Sequence, residues 1–388
     1  MRFPMLAAVF RKEMLDILRD RRTLISMVAM PVLVIPLMMF FMGSLIGRAE
    51  QKAEEEMKRL GIAAKLATGR FRPALAASGL PLRAAADPAE AVREKKAAVG
   101  AVETASGIEL LIDRANPASA AAGAAVREVL DKAREAEIRA GLASAKVPAS
   151  VLEPFTIRQT NLASARRMAG NLWGSLLGYM LLLLMFTGGM YPIIDMTAGE
   201  KERKTIEAFL AAPVHRLEIV TGKILAGTVA IAVTAALTLA SLVFSLRNER
   251  FAGRSPEMKA MLQTIPLDAQ NLTLIAVSLL PLAIFAASLM IAIATFARSF
   301  KEGQSYLTPL ALLVIFPALL GGLPGLELSP ATALLPILNV SQLIRGILLG
   351  DFTPLVFGIT LAANIVYAAL AAFIATRTFN NEKVLFRS

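Results

Sequence analysis

Five ionisable residues stand in a row at 200–204, Glu-Lys-Glu-Arg-Lys, and side chains of this kind suit charge pairing with another surface. Ile206, Phe209 and Leu210 come next as an apolar stripe at helical spacing, with Lys201, Arg203 and Lys204 on the more polar side. Thr197 and Glu200 have capping-box spacing, in which the threonine hydroxyl accepts from the third helical N–H and the glutamate reaches back. The pattern predicts a short amphipathic helix over 197–212, stopped by Pro213 and followed by Arg216 and Lys223. A helix this short is marginal alone in water and needs a surface, either lipid headgroups or a partner protein.

Residues that make or break bonds are not arranged to do so. No GxxxxGK[ST] loop occurs, because Gly222-Lys223 is followed by isoleucine, so no phosphate cradle of that type forms. The one histidine, His215, lies in the polar turn after Pro213, which disfavours a histidine-based metal site or acid–base pair. Neither HExxH nor GxSxG is present, and without cysteine there is no disulfide or thiolate site. No catalytic, cofactor-binding or metal-ligating residue is assigned.

The charged stretch 195–223 lies between two long uncharged segments, 170–194 and 224–246. Four more of that kind occur, at 24–46, 272–297, 307–326 and 354–376. Each is long enough to cross ~30 Å of hydrocarbon, and none contains Asp, Glu, Lys, Arg or His. With 56% hydrophobic residues and a mean hydropathy of +0.59, six such stretches exceed what a soluble core needs. The expected fold is a polytopic α-helical membrane protein with six transmembrane helices. A net charge of +11 would suggest nucleic acid in a soluble protein, but here it reads as orientation, and no nucleic-acid partner is expected. Arg11, Lys12, Arg19, Arg21 and Arg22 place the N-terminus in the cytoplasm, and six crossings return Arg377, Lys383 and Arg387 to that side. Arg247, Arg250, Arg254 and Lys259 run against this rule and are partly offset by Glu249, Glu257 and Asp268. The first apolar segment is expected to be retained, since no small-x-small cleavage motif comes after it.

The spans divide the chain into distinct parts. Residues 1–23 are expected to form an amphipathic elbow helix, with Phe3, Leu6, Phe10, Met14 and Ile17 on one face and Arg11, Lys12, Asp16 and Arg19 away from it. It lies along the membrane surface or packs on protein. Residues 24–46 form the first span, and 47–168 a polar insertion. Its predicted order is a helix at 50–60, a helix at 88–96, strands at 97–102 and 108–113, and an alanine-rich helix at 117–142. That order suggests a small α/β domain on the extracytoplasmic side, inserted between helices 1 and 2, though part of it could instead be a helical stalk. In the long helix, Glu128–Lys132 and Asp131–Glu135 have i,i+4 spacing and only the first pair attracts. Residues 169–388 carry the other five spans. Gly170, Gly174 and Gly178 form a double GxxxG helix-packing face, used within the chain or against another subunit. The connection at 327–351, with Pro330, Pro336 and Gly350, encloses an apolar segment too short to cross and is expected to be re-entrant or interfacial on the outer side. The spans lack the carboxylates that ion-coupled carriers use, so any uphill transport draws its energy from elsewhere.

These residues resemble the permease subunits of type-2 ABC exporters, closest to the NatB-like sodium-extrusion branch. The similarity covers most of the chain. It rests on the basic helix Arg11-Lys-Glu-Met-Leu-Asp-Ile-Leu-Arg-Asp-Arg-Arg, on the stretch from Glu200 through Pro213 to Gly222-Lys223, on the large insertion after the first span, and on Leu335-Pro-Ile-Leu-Asn-Val running to Gly350-Asp351. The resemblance implies a permease that moves cargo outward across a bacterial inner membrane, the cargo being Na⁺ or a drug-like compound. It implies two permease copies, identical or paralogous, and separate ATPase subunits that supply ATP and Mg²⁺ chemistry and dock on the coupling helix. The expected docking residues are Glu200, Arg203, Glu207, Phe209, Leu210 and Arg216, with the charged ones pairing at the rim and Phe209 and Leu210 filling a groove in the partner. The alternative from another class is a non-transporting membrane receptor or scaffold whose outer domain binds a ligand.

Overall fold

The computed structural model describes residues 2–105, 107–145, 175–205, 213–248, 268–320, 326 and 328–381. In chain order the elements begin with α1 (Phe3–Arg19) and α2 (Arg21–Leu24), a π turn (Ile25–Ala29) and α3 (Met30–Leu60). Next come β1 (Ile62–Lys65), α4 (Arg72–Ala76), β2 (Leu82–Ala84), α5 (Pro88–Arg93), β3 (Val99–Thr104), β4 (Gly107–Leu111) and α6 (Pro117–Ser144). The remainder is helical: α7 (Ser175–Ile194), a π turn (Asp195–Gly199), α8 (Glu200–Glu202), α9 (Arg216–Arg247), α10 (Ala269–Ala294) and α11 (Phe300–Leu320). A 3₁₀ turn (Thr332–Leu334), α12 (Leu338–Leu349) and α13 (Pro354–Phe379) complete it. Two compact units result, Met1–Gly43 with Leu162–Ser388, and Ser44–Asn161.

Among the described residues, six helical runs are long and apolar enough to cross a membrane: Arg21–Leu60, Leu176–Glu202, Arg216–Arg247, Ala269–Ala294, Phe300–Leu320 and Pro354–Phe379. Several outrun their uncharged segments. The first continues to Leu60 because 50–60 is rich in helix formers and adds a Lys58–Glu54 pair at 2.6 Å. Gly61, at φ +65°, then ends it, and a Cβ there would lie 2.1 Å from the Pro81 carbonyl oxygen. The basic run before the first span is two helices rather than one. Asp20 breaks α1 and caps α2, accepting from the N–H groups of Arg22 and Thr23 at 3.1 Å each.

α7 is the centre of the helical unit. Of its most apolar window 78% is buried, against 22% for α11 and 28% for α13. α9, α10, α11 and α12 all pack on it. Its closest approach to α9 is at Gly188 and Gly189, where a Cβ would lie 2.4 Å from Thr234 and 2.2 Å from Ile231. Gly178 meets α12 of the same chain, its would-be Cβ 3.2 Å from the Ser341 carbonyl oxygen. Gly170 and Gly174 lie outside the described residues.

The short apolar segment after α11 becomes α12, twelve residues enclosed on nearly every side and ended by Gly350 at φ 75°. Two of its polar side chains bond neighbouring carbonyls: Asn339 Nδ2 donates to that of Ala333 (3.0 Å) and Ser341 Oγ to that of Ala318 on α11 (2.9 Å). Ile337, just before it, has φ 71° and ψ −54°, and Leu338 N donates to the Pro336 carbonyl oxygen at 2.8 Å. That is a γ-turn of the rare, strained kind, centred on a β-branched residue.

The second unit holds a four-stranded sheet in the order β2-β1-β3-β4, with β1 parallel to both β2 and β3, and β3 antiparallel to β4. The strands expected at 97–102 and 108–113 correspond to β3 and β4, each displaced by one or two residues. β1 and β2 have no counterpart among the expected elements. They are four and three residues long, and alanine-rich β1 comes directly after a helix, so neither shows an alternation long enough to read. Ile62, Leu75, Val99, Ala122 and Val126 fill the core beneath the first half of α6. In its exposed second half Glu128 pairs with Lys132 at 2.6 Å. Asp131 and Glu135, expected to repel, each take an arginine, Arg134 at 3.2 Å and Arg139 at 3.9 Å.

Candidate functional site

The described residues of the charged stretch fall in three elements, the π turn, α8 and the start of α9, and in the chain between them. α7 does not stop where the apolar segment ends. It runs through the π turn and on to Glu202, so 195–202 is the last part of a spanning helix and not the start of a separate one. Thr197 is accordingly no cap: its Oγ1 donates back to the Ile193 carbonyl oxygen at 2.6 Å. The chain breaks at Lys204, which sits at φ 59°. A π turn adds residues to one turn of helix and rotates the helix beyond it, a feature frequent at functional sites.

That rotation aims four consecutive side chains in different directions. Glu200 turns inward. It is 2% exposed, and its Oε2 accepts from Lys223 Nζ of α9 at 2.6 Å while its Oε1 accepts from Lys12 Nζ of α1. Lys223, 1% exposed, also donates to Glu13 Oε1 of α1 (2.7 Å) and to the Met196 carbonyl oxygen (2.6 Å). Lys12 reaches Glu13 and Asp16 at 3.2 Å each. Lys201 Nζ donates to the Thr295 carbonyl oxygen at the end of α10. Glu202 Oε2 accepts from Phe300 N, the first residue of α11, at 2.7 Å. An ammonium at a helix C-terminus and a carboxylate at a helix N-terminus both match the helix dipole. Arg203 folds back on Asp195 at 2.8 Å across Gly199, whose missing Cβ leaves room for the pair.

Glu13, Glu200, Lys12 and Lys223 therefore form one cluster of ion pairs, to which Asp16 is joined through Lys12. Desolvation opposes the Lys12 charge, yet the carboxylates of Glu13 and Glu200 outweigh it and hold its pKa above the ordinary lysine range. A raised pKa means that its stabilising contribution is complete below the unfolded value of about 10.4 and is lost only as pH climbs past the folded one. Lys12 keeps its charge throughout the physiological range. The Asp195 carboxylate, mainly through its hydrogen bond, likewise holds Arg203 above its usual value.

The far end of the stretch is held on the same helix α1. Glu218 is fully buried and accepts from Arg2 N and, at 3.1 Å, from His215 N. The Arg2 guanidinium donates to the Pro213 carbonyl oxygen at 2.6 Å. Arg216 Nη1 donates to the Asn380 carbonyl oxygen, just past α13, at 3.1 Å. α1 packs flat on α9, where a Cβ on Gly222 would lie 2.7 Å from Val9 Cγ1 and 3.3 Å from Phe10 N. Gly222→Val is expected to prise α1 off α9 and to cost about 1–3 kcal/mol, with Gly222→Ala milder. Thermal unfolding of the full chain in nanodiscs checks this, and unchanged melting of the valine variant would sink it.

Of the six expected docking residues, Arg203 and Arg216 lie at the surface beside the break, while Glu207, Phe209 and Leu210 lie outside the described residues. Glu200 is a correction. It is not a rim charge, because both its oxygens are taken by lysines in the interior. Glu13, Lys12 and Lys223 are functional candidates that the sequence reading did not assemble. Their signal was present: Glu13 interrupts the i,i+4 row of Val9 and Ile17, and Lys223 sits between Val220 and Ile224. No group of three or more His, Cys, Asp or Glu side chains able to hold a metal occurs among the described residues.

Comparison with known proteins agrees with this architecture over nearly the whole chain. The family model for ABC-2 family transporter protein matches residues 7–384. The ABC transporter permease protein NatB of Bacillus subtilis (strain 168) is 26% identical over 401 residues, covering 98% of this chain and 99% of that protein. No solved structure matches.

Proposed function

We propose, for a chain that belongs to the ABC-2 family of transporter proteins, that residues 197–223 are where its ATPase partner docks. As a member of that family the chain is the permease subunit of an ABC transporter and not itself an enzyme; ATP is used by the partner ATPase. One observation carries the docking assignment: the residues on either side of 206–212 are tied to the start of the chain, Glu200 through Lys12 of α1, and Pro213 and Glu218 through Arg2 just before α1. A segment whose two flanks are fixed transmits a push on it to the helices that hold those flanks. In this reading Phe209 and Leu210 enter a groove of the ATPase, and Glu207, Arg203 and Arg216 pair at its rim. Glu200 is the inner relay, handing displacement to α1 and α9, while Lys201 and Glu202 hand it to α10 and α11.

The positive-inside bias supports cytoplasmic termini, a cytoplasmic segment 195–223 and a second unit on the outer side of a bacterial inner membrane. Two permeases, identical or paralogous, would complete the transporter, moving Na⁺ or a drug-like compound outward. The test is ATP hydrolysis by the full chain in nanodiscs, alone and with the ATPase encoded beside it. Hydrolysis is expected only with the ATPase present, and faster than that of the ATPase alone. An ATPase that neither associates with the chain nor changes its rate on adding it would overturn the reading.

A further inference from the structure

Between the second half of α9 and the first half of α10 lies an open groove of about 820 Å³. Ala236, Ala240, Val243 and Phe244 form one wall, and Ala276 and Leu280 stand on the other. The alanines give it depth, while Phe244 and Leu280, each more than half exposed, stand up at its margins. Of the lining side chains only Thr273 carries a polar group, and its hydroxyl already donates to the Ala269 carbonyl oxygen at 2.7 Å. The lining runs from Ala232 to Phe244 on α9, thirteen residues spanning ~18 Å of helix, comparable with the ~15 Å of one leaflet's hydrocarbon. Apolar along a leaflet's depth and open on one side, the groove suits acyl chains, which ask for no polar partner.

The end of the groove at the leaflet surface carries both signs of charge. Arg247, exposed, stands one turn beyond Val243 and Phe244 on the face of α9 that lines the groove. Asp268, exposed and bonded by Asn271 at 2.5 Å, stands one turn before Leu272 on α10. A guanidinium and a carboxylate flanking the mouth of an apolar slot complement a headgroup that is itself a phosphate plus an ammonium. We propose that this groove binds one diacyl phospholipid with a zwitterionic headgroup, its chains between α9 and α10, its phosphate at Arg247 and its ammonium at Asp268. The lipid would sit in the outer leaflet under the topology given above, and its binding does not depend on what the permease carries.

Native mass spectrometry of the full chain, equilibrated with equal phosphatidylethanolamine and phosphatidylglycerol of the same acyl chains, tests this. The wild-type chain is expected to keep one phosphatidylethanolamine through delipidation. Filling the groove with Ala236→Phe and Ala276→Phe should lower that occupancy at least tenfold. Asp268→Asn should keep a lipid bound but remove the preference for phosphatidylethanolamine over phosphatidylglycerol. Ala236→Leu, a smaller change, should lower occupancy in the same direction and serves where the double variant does not fold. Equal retention in the filled and wild-type chains would overturn the site. Retention of phosphatidylglycerol in preference by the wild type would overturn the headgroup assignment. Loss of association between chains with lipid occupancy unchanged would give the groove to a second copy instead.

Discussion

Lys223→Met is expected to lower the unfolding free energy of the chain by about 3–5 kcal/mol, the usual cost of removing one partner from a buried ion pair. The reason lies in what stays behind. Lys223 Nζ serves Glu13, Glu200 and the Met196 carbonyl oxygen at once, all within 2.7 Å. Without it, Lys12 alone faces two enclosed carboxylates, and one negative charge is left uncompensated. Adding Glu13→Gln to Lys223→Met restores neutrality, leaving the Lys12–Glu200 pair. The double variant should therefore be more stable than the lysine variant, with a coupling above ~1 kcal/mol in a double-mutant cycle. Chemical or thermal unfolding of the four chains in the same nanodiscs gives the cycle directly. Additive effects, or a lysine variant that melts like wild type, would mean that the cluster is not one unit.

The cluster has a cost that hydrophobic packing would avoid, since desolvating four charges where apolar side chains would fit is rarely the most stable choice. Its position suggests what is gained. Glu13 and Lys12 belong to α1, Lys223 to α9 and Glu200 to the continuation of α7, so one set of ion pairs joins three helices that share no continuous hydrogen-bonded backbone. Ion pairs of fixed geometry resist being half-formed, so the three helices either keep this arrangement or exchange it as a whole. Lys201 and Glu202 extend the join to α10 and α11. Five helices thus meet within three residues of one chain segment.

How much of the molecule was legible in the sequence depends on the physical strength of each signal. The six spans are the strongest, because long uncharged runs have few other uses; that the helix expected at 50–60 and the turns at 195–202 continue the spans before them could not be read. Those extensions depend on tertiary support, which at 195–202 comes from Lys223, Thr295 and Phe300 in distant parts of the chain. Thr197 shows the difficulty: the same spacing that makes a capping box also occurs inside a helix, where the hydroxyl bonds backwards to Ile193. In the second unit, β1 and β2 are held by parallel pairing with strands far along the chain, and no local alternation betrays them. That 195–223 is a charged connection between two spans was readable from its charge pattern. Its division of labour was not, because whether Glu200 faces water or Lys223 is set by a rotation at the π turn that no local pattern encodes.

Phe209→Ala with Leu210→Ala is expected to abolish recruitment of the ATPase while leaving the helical unit folded. The two residues belong to 206–212, whose neighbours on either side are tied to distant parts of the chain at Glu202, Pro213 and Glu218. Two large apolar side chains in a seven-residue span between charged flanks have no obvious use in a permease standing alone. In a partner's groove they would act as a hot spot, where truncating each residue typically costs about 2 kcal/mol or more. Losing about 4 kcal/mol weakens association by roughly a thousandfold, enough to empty the complex at ordinary concentrations. Co-purification and ATP hydrolysis of the variant with the neighbouring ATPase measure recruitment, and the melting temperature of the variant chain measures folding. Arg203→Ala and Arg216→Ala, which also remove the bonds to Asp195 and to the Asn380 carbonyl oxygen, should weaken association by no more than about tenfold and more so at low salt. The comparison separates a docking tip from a general loss of structure. Normal assembly of the Phe209/Leu210 variant would remove 197–223 as the docking site, and a large drop in its melting temperature would show those side chains to be packed within the permease itself.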